Sequence, residues 1–216
     1  MADLKLIIEN VVEGNVEKVK ELTKNAITDG VDVATILDDG LIAGMGAIGE
    51  QFERREAYVP ELLLSARAMR AGMELLEPLL VSSGVQPKGK VVLGTVKGDV
   101  HNIGKDLVGI MLKGAGFDII DLGVDVPPEK FTDVVGEGGA GIVGMSGLLT
   151  TTLPFMKTTI EALDAAGLRS RVKIMIGGAV VTQDYADRIG ADAYAANAAE
   201  AVNKAKELLG LEGGSK

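Results

Sequence analysis

The sequence has no cysteine, no tryptophan and a single histidine. That excludes disulfides, thiolate metal sites, cysteine nucleophiles and cysteine-held iron–sulfur clusters, and one imidazole cannot build a His-rich zinc site. Aromatic residues make up only 3% of 216 residues, too few for base-stacking platforms. Basic side chains are outnumbered 22 to 31, giving a formal net charge of −9 and a pI near 4.7. This balance disfavours nucleic acid or an anionic membrane as the main partner. No stretch approaches the ~18 uninterrupted apolar residues of a membrane span. The start, Met1-Ala2-Asp3-Leu4-Lys5, has no basic segment followed by an apolar run, so no signal peptide is expected and a cytoplasmic location is. What is plentiful is hydrophobic sequence, at 47%, enough to build a core. Glycine, at 29 residues, is about twice its usual ~7% share.

The chain changes texture near residue 87. Before it, apolar residues recur at three- and four-residue spacing over Leu4 to Val12 and Val16 to Ile27, predicting two amphipathic helices split by Gly14-Asn15. Asp32 is placed to cap a third, with Ile36, Leu37, Leu41, Met45 and Ile48 inward. A fourth starts near Pro60 and carries Leu63, Met69, Met73, Leu76 and Leu80. These make a four-helix bundle over residues 1–87, closed by a linker from Ser82 to Gly89. Residues 88–216 alternate β-branched runs with helical stretches. Strands are expected at Val91 to Val96, Phe117 to Leu122, Gly141 to Met145, Val172 to Ile176 and, weakly, Ala191 to Tyr194. Such alternation predicts a parallel, doubly wound α/β sheet with ligand sites at the carboxyl ends of its strands.

Three loops at that end hold small and polar residues. They are Lys97 to Asp106 after the first strand, Ser146 to Thr152 after the third, and Gly177-Gly178-Ala179 after the fourth. Glycine in these places permits close backbone approach, which accounts for part of its excess. The only histidine, His101, stands in the first loop with Asp99 two residues before it. A carboxylate bonded to one ring nitrogen leaves the other as an electron-pair donor, the arrangement behind many metal-bound imidazoles. No second His or Cys exists to complete a protein-built site, so the metal would have to arrive with its own ligands, as in a macrocycle.

Asp99-x-His101-x-x-Gly104, Ser146-x-Leu148 and Gly177-Gly178 together resemble the tripartite signature of cobalamin-binding domains. The longer matches, Asp99 to Lys105, Asp121 to Val124 and Ser146 to Thr150, resemble the methyltransferase branch, which includes the cobalamin module of methionine synthase and small corrinoid proteins of methylotrophic and O-demethylating systems. In the first half, Gly44-Met45-x-x-Ile48-Gly49-Glu50-x-Phe52 and Tyr58 to Leu62 resemble that branch's helical cap. The resemblance covers essentially the whole chain and implies a helical cap followed by a Rossmann-like, flavodoxin-like domain.

It further implies cobalamin bound with its own base displaced and His101 on cobalt, tuned by Asp99 with Thr152 relaying behind. Methionine synthase-like sequences carry Ser where this chain has Thr152. Cofactor contacts are implied for Asp99, Val100, His101, Asn102, Ile103, Gly104, Ser146, Leu148, Thr150, Thr152, Gly177 and Gly178. The implied role is a methyl carrier serving a substrate-specific methyltransferase and a second methyltransferase that accepts the methyl group, with a reductive activator. Methanol, a methylamine, a betaine or an aryl methyl ether would each serve as donor. A cobalamin-dependent regulator would need an output element that the sequence lacks, and a radical-mutase subunit is disfavoured by the helical cap. Other motifs fail on context. Gly136-x-Gly138-x-x-Gly141 precedes a strand where a dinucleotide fingerprint follows one, and Gly98 to Lys105 is one residue too long for a phosphate-binding P-loop.

Overall fold

The computed structural model describes residues 4–83 and 86–211. The chain divides into two compact units, one of residues up to Pro87 with Gly114–Gly116, the other of Lys88–Lys113 with the chain from Phe117 onward. No helix among the described residues is long and apolar enough to cross a membrane.

The first unit is helical: α1 (Leu4–Val12), α2 (Val16–Thr28), α3 (Val33–Ile36), α4 (Ala43–Glu53) and α5 (Val59–Ser83). Asn15 and Asp32 cap α2 and α3, their side chains accepting from the N–H groups of Lys18 and Thr35. The expected third helix forms as one rod from Val33 to Glu53, but residues Leu37–Ile42 within it make a π turn that periodicity did not reveal. The burial pattern explains it. Ile36 and Leu41 are five residues apart and both fully buried. In a regular α-helix that spacing points them about 140° apart, whereas the wider π turn returns residue i+5 to the same face. Beyond it Met45 and Ile48 continue the buried stripe, while Asp38 and Asp39 face solvent.

In α5 the apolar residues that marked the helix do not all face inward. Leu63 is 46% exposed and Leu62 is buried instead, in phase with Ser65, Met69, Leu76 and Leu80. Ser65 Oγ donates to the carbonyl of Val12, satisfying an orphan acceptor at the end of α1. Pro78 lies within α5. Of the expected linker, Ser82 and Ser83 are the last residues of this helix, and Gly84 and Val85 lie outside the described residues.

The second unit is a five-stranded parallel sheet in the order β2-β1-β3-β4-β5. Its strands are β1 (Lys90–Thr95), β2 (Asp118–Asp121), β3 (Ile142–Ser146), β4 (Lys173–Gly177) and β5 (Ala193–Ala195). The connecting helices are α6 (Ile103–Gly114), α7 (Pro128–Gly136), α8 (Pro154–Ala165) and α9 (Gln183–Ile189), and α10 (Ala198–Leu208) follows β5. The outer strands β2 and β5 are shorter or shifted relative to the apolar runs that predicted them, as element ends commonly are. The core strands are continuous apolar runs, because helices cover both faces of a parallel sheet. Val92, Val143, Ile174 and Ile176 pack with Phe131, Met156 and Leu163. Register pairs Thr95 with Ser146 and Ser146 with Gly177, bringing three strand ends level. Strand order reverses between β1 and β3, so the crevice outside their carboxyl ends is the topological switch point.

One polar atom in the helical core stands alone. Thr23 is fully buried, and its Oγ1 has no hydrogen-bond partner among the described residues. Valine has the same shape without the desolvated hydroxyl. Thr23→Val is therefore expected to leave stability unchanged or raise it by about 1 kcal/mol, measured as the midpoint of chemical unfolding.

Candidate functional site

The site is organised by a buried carboxylate. Asp99 follows β1 and is fully buried, and no Lys or Arg among the described residues forms an ion pair with it. Its Oδ1 accepts the backbone N–H of His101 at 3.0 Å and lies 2.7 Å from His101 Nδ1. Its Oδ2 accepts from the N–H of Leu148 at 2.7 Å, the N–H of Leu149 at 3.2 Å and Thr152 Oγ1 at 3.0 Å. Burial alone would raise the Asp99 pKa. The N–H groups of Leu148 and His101, then the His101 ring and the Thr152 hydroxyl, outweigh it and hold the carboxyl well below the ordinary carboxylate range.

An ionised carboxylate only accepts, so the hydrogen on the His101 ring is on Nδ1. The lone pair of the neutral ring is then on Nε2. The imidazole is 48% exposed, and Nε2 has no hydrogen-bond partner among the described residues. Thr152 Oγ1 also lies 2.9 Å from the carbonyl of Leu149. The hydroxyl has one hydrogen for these two acceptors, and the ionised carboxylate is the stronger of them.

The remaining residues expected at the site surround this pair. Val100 and Ile103 flank His101 and are 68% and 79% exposed, unusual for large aliphatic side chains. Leu148 and Leu149, after β3, are exposed beside them, and Thr150 is exposed further along the same loop. Ser146 ends β3 half-buried, and its hydroxyl has no hydrogen-bond partner among the described residues. The three glycines differ in what demands them. A Cβ at Gly178, where φ is +135°, would collide with the carbonyl oxygen of Gly147, and one at Gly177 would lie 2.9 Å from Ala195 O. The chain's own backbone thus accounts for both. At Gly104 a Cβ would meet nothing within 4 Å, so there the open space faces outward.

Residues 89–203 match a family described as a B12 binding domain, and residues 4–77 match a second family described in the same words. The chain belongs to the B12-binding corrinoid proteins. It is 46% identical to dimethylamine corrinoid protein 3 of Methanosarcina acetivorans, over 97% of this chain and all of that one. It is similar to the crystal structure of a cobalamin-binding protein from Desulfitobacterium hafniense, with a TM-score of 0.80 and 31% identity over 96% of this chain and 99% of that one. The methanol:cobalamin methyltransferase complex of Methanosarcina barkeri matches with a TM-score of 0.85 and 30% identity, over 99% of this chain and 80% of that one.

The residues present fit a corrinoid. Among the described residues no group of three His, Cys, Asp or Glu side chains could hold a bare metal ion. A cobalt held in a corrin ring would need few donors from the protein, and the unpartnered Nε2 of His101 is chemically suited to serve as one. The exposed aliphatic residues beside His101 and the open space at Gly104 suit a broad, partly apolar ligand.

Sequence reasoning passed over a second polar centre in the same loop. Lys105, in the first turn of α6, is buried, and its Nζ lies 2.7 Å from Asp106 Oδ1 and from both carboxylate oxygens of Asp121. Asp106 accepts from Asn102 Nδ2 at 2.9 Å, and Asp121 accepts from the N–H of Gly123 at 2.9 Å. The signal was Lys105 in a helix start followed by Asp106, with Asp121 at the end of an apolar strand. Burial alone would lower the Lys105 pKa, but the two carboxylates raise it overall. Burial alone would raise Asp121, but Lys105 and the Gly123 N–H lower it.

The signs set a pH window. Asp121 titrates lower in the folded state than its unfolded value of about 3.9, so its contribution is complete above that value and is lost as pH falls through the folded value. Lys105 titrates higher than about 10.4, so its contribution is complete below that value and is lost as pH rises through the folded value. Lys105→Met is expected to cost about 1 kcal/mol, kept small because Asp121 is half exposed and screened. In urea unfolding across pH, that cost should be constant from about pH 5 to 9 and shrink beyond either end.

Proposed function

We propose that this protein is a corrinoid-bearing methyl carrier in which His101 Nε2 is the lower axial donor to cobalt. The observation that carries the reading is the fixed tautomer of His101, whose Nδ1–H is committed to a buried, ionised carboxylate while Nε2 is presented on a half-exposed ring. The bound corrinoid supplies the cobalt that accepts and gives up the methyl group.

The chain's own residues supply the support. Asp99 holds the ring's orientation and, through its bond to Nδ1, leaves the Nε2 lone pair as the ring's free donor. Thr152, by donating to Asp99 Oδ2, shares the carboxylate's charge. Asn102 and Ile103 place the start of α6 beside the ligand, and Ser146 has a free hydroxyl for a polar group of the cofactor's tail. Val100, Ile103 and Leu148 would be covered by the corrin's edge.

One methyltransferase would load the methyl group and a second would take it, a reading supported by the likeness to the methanol:cobalamin methyltransferase complex. Adventitious oxidation of the cobalt would call for a reductive activator. The 46% identity with a dimethylamine corrinoid protein favours a methylated amine as donor over methanol.

The sequence's single histidine gives a direct test. Protein grown on histidine labelled with heavy nitrogen carries the label at His101 alone. In the electron paramagnetic resonance spectrum of the one-electron-reduced cobalt, the axial nitrogen splitting should change from a triplet to a doublet. His101→Ala should abolish the effect, and Asp99→Asn should weaken cobalamin binding by about tenfold or more. A triplet unchanged by the label would assign the axial nitrogen to another donor.

A further inference from the structure

Two described residues other than glycine have positive φ, Arg55 at 60° and Asp125 at 53°. This region is costly for side chains other than Gly, least so for Asn and Asp, and a residue kept there invites the question of what holds it. Asp125 lies in the loop after β2, and its conformation turns it toward the His101 loop. Its N–H donates to the carbonyl of Asp99 at 2.9 Å, and its Oδ1 accepts the N–H of Gly98 at 2.7 Å. One residue thus grips the backbone on both sides of the Asp99 side chain.

The surrounding bonds run the same way. Thr95 N donates to Gly123 O and Val126 N to Thr95 O, zipping the β2 exit onto the end of β1. The buried Thr95 hydroxyl donates to the carbonyl of His101 at 2.9 Å. Nothing in packing calls for a carboxylate at position 125, since the side chain is exposed. A glycine would make the turn with less strain. What the carboxylate adds is the charge-assisted bond to Gly98, itself at φ +80°.

We propose that Asp125 is a positioning residue for the Asp99–His101 pair. By fixing the peptides that flank Asp99 it fixes the carboxylate bonded to Nδ1, and with it the direction in which Nε2 is presented. The proposal rests on the reading of His101 as the axial donor.

Two variants of the full chain separate the acceptor from the turn. Asp125→Gly keeps the positive φ and the N–H to Asp99 but removes the acceptor, while Asp125→Asn keeps an oxygen acceptor and tolerates the conformation. Binding is measured with hydroxocobalamin, folding by thermal melting, and ligation by the labelled-histidine splitting in the reduced, loaded protein. Asp125→Gly should melt cooperatively within a few degrees of wild type, bind about tenfold more weakly and lose intensity in the splitting. Asp125→Asn should restore affinity to within about twofold and the splitting in full. Wild-type affinity and splitting in Asp125→Gly would overturn the proposal, as would Asp125→Asn failing equally. An Asp125→Gly protein that no longer melts cooperatively would overturn it too, assigning Asp125 to fold stability. If the wild-type protein itself lacks the labelled splitting, the axial-donor reading falls and takes the proposal with it. A wild-type splitting with Asp125→Gly unchanged overturns the proposal alone.

Discussion

A buried carboxylate just after β1, paired with no Lys or Arg among the described residues, is the interaction on which the site depends. Removing a charge from water is expensive, and the usual compensation is an ion pair or a metal. Asp99 is instead satisfied by three backbone N–H groups, one hydroxyl and one ring nitrogen. Three of these donors belong to the loop after β3, so the charge can be stable only while the β1 and β3 loops are together. The bond to His101 therefore inherits its geometry from the sheet, since β1 and β3 are adjacent strands in fixed register. A lysine or arginine in place of the N–H groups would have neutralised the charge and weakened its hold on the ring.

Around that centre the chain uses a second, differently built anchor. Lys105 pairs with both Asp106 and Asp121, offsetting one of their two charges, and so ties the start of α6 to the end of β2. The two networks grip the segment from Asp99 to Asp106 from opposite directions, one toward β3 and one toward β2. Between them lie Val100 and Ile103, whose backbones are held while their side chains face out. Rigid backbone with exposed apolar side chains is what a preorganised surface for a flat ligand requires, because little ordering remains to be done on binding.

The sheet and most helices were legible because their signals are local. Apolar β-branched runs separated by helical spacing force a parallel sheet, and the structure sets Asp99 and His101 in the loop after β1, Ser146 as the last residue of β3, and Gly177 at the end of β4 with Gly178 just after it. Three features were hidden because tertiary packing decides them. The π turn at Leu37–Ile42 follows from a need to bury both Ile36 and Leu41, which a fixed helical period cannot represent. The phase of α5, with Leu62 in and Leu63 out, depends on what faces it, and two adjacent leucines give periodicity no preference. The partners of Lys105 are 1 and 16 residues away, and only the β1–β2 pairing brings Asp121 to it. Gly177 and Gly178 were readable as glycines that matter, but the reason lies in the backbones of Ala195 and Gly147.

That last distinction bears on how such a site can vary. Gly178 and Gly177 are fixed by the chain's own packing, so they constrain any ligand without responding to it. Gly104, Val100 and Ile103 meet no such internal demand, and their side chains, or the lack of one, face open space. Change at these positions would come at little cost to the fold. Change at Asp99, Thr152 or Gly178 would strike packing or hydrogen bonds that hold the loops. The support for the His101 ring is thus built into the sheet's closest approaches, while the surface around that ring is carried on side chains that the fold leaves unused.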